Sequence, residues 1–463
     1  MRRADFLQRA GAERISLVGL LCLMLAWSPT VHAEGESPEA LHSKIDRAID
    51  AAGSGVSAPP VSDAEFLRRA SLDLIGVPPT NPEMTQFLAD GSAGKRSAAI
   101  DRLLASPQFP RHLANVLDIL LMERRPANAV AQEEWHDYLE NSIRADKPLH
   151  VLFREILSAD GVDPALRPAA RFYLDRAGEP NLIARDVGRI FFGRDLQCAQ
   201  CHDSPLVDDY HQSDYKGLFA FFEGGTVVTR KEGDKDKSYY GERASGEVGF
   251  ESVFIKGKKH VTGARVPGSV ELAEPVFHPG EEYVTSPADG VVPIPKFARR
   301  QQLAEQATNG GNRSFNENLA NRLWAHMMGR GLVHPVDMHH SSNPASYPEV
   351  LQLLGIELAA MNFNLKGFLR ELALTRVYER SIDFPSSLAE KSAVAVERLN
   401  KLEAERPPLA LALEQAQASY ESLKEKFHAA ESAFVPVSDE LTAARGKVAE
   451  INKKVAEARK GVA

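Results

Sequence analysis

The chain reads as a mainly α, multidomain helical array with a small β-containing insertion and a C-terminal coiled-coil-like helical tail. Three observations predict this. Between residues 61 and 223, apolar side chains recur at helical spacing, with capping residues where the runs begin and stop. From Gly224 to Pro295 the composition shifts to Gly, charged and β-branched residues. From Leu409 onward, apolar or small residues alternate at intervals of four and three, as along a coiled-coil seam. With 463 residues, 43% of them hydrophobic and 25% charged, the chain has enough apolar surface for two or three cores.

The elements follow in order. Arg2, Arg3, Arg9 and Arg14 precede an apolar run from Ile15 to Trp27 and a small-x-small exit at Val31-His32-Ala33, so residues 1–33 read as a secretory signal peptide. The run is shorter than the roughly 20 residues of a spanning helix. The expectation is export to the periplasm or cell surface, with membrane attachment only if the signal stays uncleaved. Residues 34–60 are a polar leader and linker with one short helix. Asp63 opens a helix carrying Phe66, Leu67, Ala70 and Leu74, which Gly76 and Pro78-Pro79 end. Thr80 and Glu83 form a capping box ahead of Met84, Phe87 and Leu88; Ile100, Leu103 and Leu104, and then Leu113, Val116, Leu117 and Leu120, mark the next two helices. Helical signals continue over 135–159 and 181–192. These make 61–223 one helical domain, 224–300 an insertion with strand candidates at 247–255 and 260–266, and 301–385 a second helical domain with helices over 316–328, 347–361 and 365–378. Residues 386–463 are the heptad tail. Pro436 lacks an amide proton and crowds the preceding turn, so the tail is expected to fold back as a hairpin with 434–438 as its bend.

The sharpest chemical signal is Cys198-Ala199-Gln200-Cys201-His202, directly after the helix over 181–192. Two thiols at this spacing suit addition across the two vinyl groups of a porphyrin, and the adjacent imidazole suits the iron's axial position. The expected cofactor is therefore one covalent haem c on Cys198 and Cys201 with His202 as proximal ligand. Zinc is the first rival: Cys198, Cys201, His202 and His211 would supply four ligands, although sequence-adjacent Cys and His fit a tetrahedron poorly. A plain disulfide is the other. Cys22 is the third cysteine and lies in the signal. A second axial group is sought among His211, His260, His278, His326, His334, His339, His340, Met327, Met328 and Met338, and His211 is the one chosen. Asp203, Asp208, Asp209 and Asp214 cluster around the motif and read as a solvated loop and helix caps; their oxygens lack the ordered spacing of a calcium loop.

Composition narrows the function classes. Without residues 1–33 the chain carries 51 basic against 61 acidic side chains, a net charge of −10, which disfavours nucleic acid as a partner. No G-x-S-x-G, H-E-x-x-H or glycine-rich phosphate loop is present. Possible partners are a redox protein for the haem and either a second chain or the same chain along 409–462. The rival reading is a non-redox extracytoplasmic scaffold whose C-x-x-C is a disulfide or zinc staple and whose tail binds a partner.

Longer stretches carry a resemblance. Phe66-Leu67-Arg68-Arg69-Ala70-Ser71-Leu72-Asp73-Leu74-Ile75-Gly76-Val77-Pro78-Pro79-Thr80, with Leu196-Gln197 leading into the motif, resembles the planctomycete cytochrome-c-like domain. Asn321-Arg322-Leu323-Trp324-Ala325-His326, with Gly329-Arg330-Gly331-Leu332-Val333 and Pro335-Val336-Asp337, is similar to its companion planctomycete-specific domain. Together they cover roughly residues 40 to 385. The resemblance implies an exported protein with a c-type-haem-like signature and no firmly established activity. The family commonly reads Cys-His-Asp-His-Pro where this chain has Cys201-His202-Asp203-Ser204-Pro205, and the companion domain usually continues past the position of Tyr378, where the heptad tail follows here.

Overall fold

A computed structural model describes residues 39–53, 58–254, 257–278, 280–382 and 387–460. The expected signal peptide and Cys22 lie outside them. The helical array comprises α1 (Leu41–Ala52), α2 (Asp63–Ile75), α3 (Asn81–Ala89), α4 (Lys95–Leu104), α5 (Gln108–Met122), α6 (Gln132–Arg144), α7 (Leu149–Ser158), the single turn α8 (Arg171–Leu174), α9 (Pro180–Phe192) and α10 (Gln212–Phe219). Strands β1 (Gly225–Glu232) to β6 (Ile294–Pro295) follow, with β2 (Lys235–Glu242), β3 (Val248–Glu251), β4 (Lys259–Thr262) and β5 (Tyr283–Thr285) between them. Helices resume with α11 (Arg299–Thr308), α12 (Arg313–Met328), α13 (Pro348–Ala360), α14 (Leu365–Ala373) and the long α15 (Ser387–Lys460). The architecture is thus mainly α, with the strands of the described residues in three two-stranded antiparallel pairs, β1–β2, β3–β4 and β5–β6.

Local chemistry accounts for the boundaries. Ser62 caps α2 by accepting from the Glu65 amide, and Gly76 ends it at φ 74, a left-handed turn that favours glycine. The Thr80–Glu83 capping box closes in both directions at α3. The helix expected over 135–159 is two helices. Asp146 takes φ 52 and Pro148 offers no amide proton, so the chain turns between Arg144 and Leu149. In the insertion, β3 lies within the expected 247–255 and β4 overlaps only the start of the expected 260–266, whereas the β1–β2 hairpin is built on a run too charged, from Thr229 to Lys237, to show strand alternation.

One buried apolar cluster runs through both helical stretches, from Leu41 and Ile45 of α1 to Tyr378. The helix in the leader belongs to it: Leu41 and Ile45 are buried, Ile49 packs against the cluster partly buried, and Lys44–Glu357 and Arg376–Asp46 ion pairs tie α1 to later elements. The two resemblance stretches form joints across this core. Arg69 donates to the Tyr378 and Arg380 carbonyls, and the Tyr378 hydroxyl donates to Asp73 at 2.7 Å. Buried Asn321 clamps Val333 through both its amide and its carbonyl, while Arg322 donates to the Arg189 carbonyl of α9 at 2.7 Å. Gly331 is required there, because a Cβ would meet the Val333 carbonyl oxygen at 2.4 Å.

The tail departs from expectation. It is a continuous helix through Pro407, Pro408 and Pro436, with no bend at 434–438 that folds it into a hairpin. A proline removes one hydrogen bond and crowds one turn, and strong helix formers on both sides carry the backbone past it. The seam residues Leu413, Tyr420, Leu423, Phe427, Val448 and Ile451 are all exposed. No described helix is long and apolar enough to cross a membrane.

Candidate functional site

The motif sits on a return loop that α9 and the second helical stretch build together. Phe192 ends α9, and Gly193 turns the chain at φ 67. A side chain there would also strike the His339 ring at 2.6 Å. The next residues run antiparallel to 337–339. His339 donates its amide to the Gly193 carbonyl at 2.9 Å, Asp195 donates to the Asp337 carbonyl at 3.0 Å, and Arg194 bridges Met338. Leu196 and Ala199, both fully buried, press the loop onto the core. Cys198 to Gln200 form one 3₁₀ turn, and the Cys201 amide donates back to the Cys198 carbonyl. With Ala199 pointing inward, Cys198 and Cys201 point outward; both thiols are free and exposed.

His202 is half-buried against Phe254, ring centroids 4.6 Å apart. Its Nδ1 lies 2.6 Å from the Asp203 carbonyl oxygen. A carbonyl only accepts, so Nδ1 carries the proton and Nε2 keeps its lone pair for a metal, the arrangement by which a backbone carbonyl sets the tautomer of a ligating histidine. Two exposed thiols and an imidazole in this tautomer fit a thioether-bound haem. The Val253 amide donates to the Cys201 carbonyl at 3.1 Å, so the start of the β3–β4 connection lies against the motif.

The acidic cluster mostly caps and pairs. The Asp203 carboxylate accepts from the Gln212 amide at 2.7 Å at the start of α10, Asp209 is held by Ser341, and Asp214 pairs with Arg265 at 2.9 Å. His211 is exposed, 3.9 Å from Asp203. It lines a cleft of about 310 Å³ with Phe250, Lys258 and His260. Among the described residues, no three His, Cys, Asp or Glu side chains converge as a metal site. His326 is core: its Nε2 bonds the Asp73 carbonyl at 2.8 Å, and burial pushes its imidazole toward neutrality; neighbouring His112 is pushed the same way by burial and by His326 beside it. Buried Met327 packs likewise.

Sequence reasoning did not connect the motif to 337–341. Tyr210 donates to the His339 carbonyl at 3.0 Å, and burial beside Arg194 and Arg322 pushes His339 down to about 4. The signal was present only as the histidine pair and the Pro335-Val336-Asp337 run of the companion stretch.

No curated protein and no solved structure matches the chain. Residues 44–226 match the PSCyt2 family model and residues 299–438 the PSD1 model, each described as a protein of unknown function (DUF1549 and DUF1553); the second match runs into α15. The motif loop is pinned where these two matched stretches meet, and the two matched models bear the names of the planctomycete cytochrome-like domain and its companion.

Proposed function

We propose that the protein is an exported c-type-cytochrome-like electron-transfer protein holding one covalent haem on Cys198, Cys201 and His202. One observation carries the reading: the Nδ1 proton of His202 is committed to the Asp203 carbonyl beside two free, outward-facing thiols, which leaves Nε2 as the donor. When bound, an iron porphyrin supplies one-electron chemistry whose potential answers to the axial ligands and to local polarity. The chain's own part is positional. The buried Ala199 and Leu196 anchor the turn, so that both sulfurs face one side, and the Asp203 carbonyl holds the imidazole tautomer. Export is supported by the basic start, apolar run and small-x-small exit of residues 1–33. The exposed seam of α15 supports self-association.

The test is co-expression of the full chain with a haem-attachment system, followed by intact mass and a reduced-state spectrum. A mass increase of one haem with a Soret band is expected, lost in Cys198→Ala/Cys201→Ala; His202→Ala keeps the mass increase and changes the spectrum. A wild-type protein whose only change is oxidation of two thiols, or that carries zinc by elemental analysis, overturns the proposal.

A further inference from the structure

A second cleft opens beside the segment that leads into the motif loop, lined by Phe192 and Arg194. Its volume is about 330 Å³, and it lies where the PSCyt2 and PSD1 stretches meet: Phe192, Arg194 and Asp209 come from the first, and Arg313, Glu317 and Leu351 from the second. Arg194 is its distinctive group. The residue is half-buried, its Nε is buried with no hydrogen-bond partner, and among the described residues no carboxylate pairs with the guanidinium. The neighbouring acids have nearer partners, and Asp209 feels Arg194 only through longer-range attraction. Asp209 accepts from the amide and hydroxyl of Ser341, and Glu317 pairs with Arg313 at 2.7 Å. His340 adds a second unsatisfied atom, a buried Nδ1.

The buried Nε is closed off from the cleft, so what the guanidinium offers to it is its two terminal nitrogens, which carry no hydrogen bond among the described residues. Arg194 is held in place by the bridge of its backbone to Met338, so its side chain is presented to the cleft by a rigid segment. The guanidinium fork matches a planar carboxylate bidentately. Phe192, Val333 and Leu351 supply an apolar wall for a small body behind it. The lining holds two guanidinium groups, Arg194 and Arg313, and two carboxylates, Asp209 and Glu317, so its fixed charges balance and offer a dianion no surplus of positive charge.

We infer that this cleft is a binding site for a small organic monocarboxylate, anchored on Arg194. The inference is independent of haem attachment, because none of the motif's thiols or His202 lines the cleft.

The test uses the full chain with acetate, benzoate and inorganic phosphate at matched ionic strength. Titration calorimetry is expected to show saturable one-to-one binding of benzoate, with acetate weaker for want of an apolar body and phosphate weakest. Arg194→Gln weakens benzoate at least about tenfold, the loss expected on removing a charge-assisted pair of hydrogen bonds, and Arg194→Lys lies between. A parallel measurement needs no variant: benzoate protects Arg194 of the wild type from an arginine-directed dicarbonyl, read by peptide mass. Absence of saturable binding for both carboxylates, unchanged affinity in Arg194→Gln, or no protection overturns the site. Phosphate binding more tightly than benzoate overturns the ligand class.

Discussion

Burying an imidazole beside two guanidinium groups gives His339 a measurable effect on acid stability. Arg194, Arg322 and His340 face it with positive or potentially positive charge, Asp337 opposes them, and Asn321 lies 3.3 Å from its Nε2. The folded protein keeps the ring neutral down to about pH 4, while the unfolded chain takes up its proton near pH 6.5. Between those values the unfolded state binds the extra proton, so the contribution is complete above 6.5 and is lost as pH falls through the window. The expected loss is on the order of 2–3 kcal/mol by pH 4. His339→Gln flattens that part of the profile: the fall in denaturation midpoint from pH 6.5 to 4 is smaller in the variant. Equal slopes in the two proteins would show that His339 already titrates normally in the fold. His112, His150 and His326 are also pushed down by burial, so the variant retains part of the acid limb.

At the scale of elements, α15 carries the clearest expectation. A helix in water gains little from propensity alone, and its apolar stripe stays costly to expose unless another surface covers it. Six seam residues from Leu413 to Ile451 are exposed, and a second copy offers a stripe of the same period. Leu423→Asp with Ile451→Asp in the full chain is expected to convert a dimer into a monomer by sedimentation, with the melting of the body unchanged; a wild type that is monomeric at all accessible concentrations sinks the idea. The elements also show what was legible beforehand. Helices with a cap at one end and an apolar stripe between, such as α2 and α3, were readable because both signals are local. The break at Asp146 was not, since a left-handed residue ahead of a proline interrupts the backbone without interrupting the apolar spacing. Pro436 misled in the opposite direction: its local rule is a helix stop, and the flanking helix formers outweigh it. The Cys198, Cys201 and His202 trio was legible as a motif. Its support was not, because the bridge to Asp337–His339 joins positions that no local period relates.

For the whole molecule, one continuous core runs through both matched stretches. Arg69, Asp73 and α9 each meet partners that lie beyond residue 300, and α1 closes on α14 through His42, on α13 through Lys44 and on Arg376 beyond α14 through Asp46. Calorimetry of the full chain should show one cooperative transition for residues 41–380, with helix loss from α15 as a separate, broad step. A fragment ending at residue 223 should expose its apolar faces and bind a hydrophobic dye; a sharp independent transition in that fragment would refute the shared core.

The antiparallel bridge between Gly193–Asp195 and Asp337–His339 also sets an order of events. During synthesis the two thiols leave the ribosome about 140 residues before the strand that shapes their loop, an interval of roughly 7–30 s at ordinary elongation rates. Any reaction made on Cys198 and Cys201 in that interval meets a pliant peptide, and any reaction made afterwards meets a fixed one. The companion stretch therefore acts as a clock for the motif, dividing the life of these cysteines into an early period open to a modifying enzyme and a late period in which their surroundings are set.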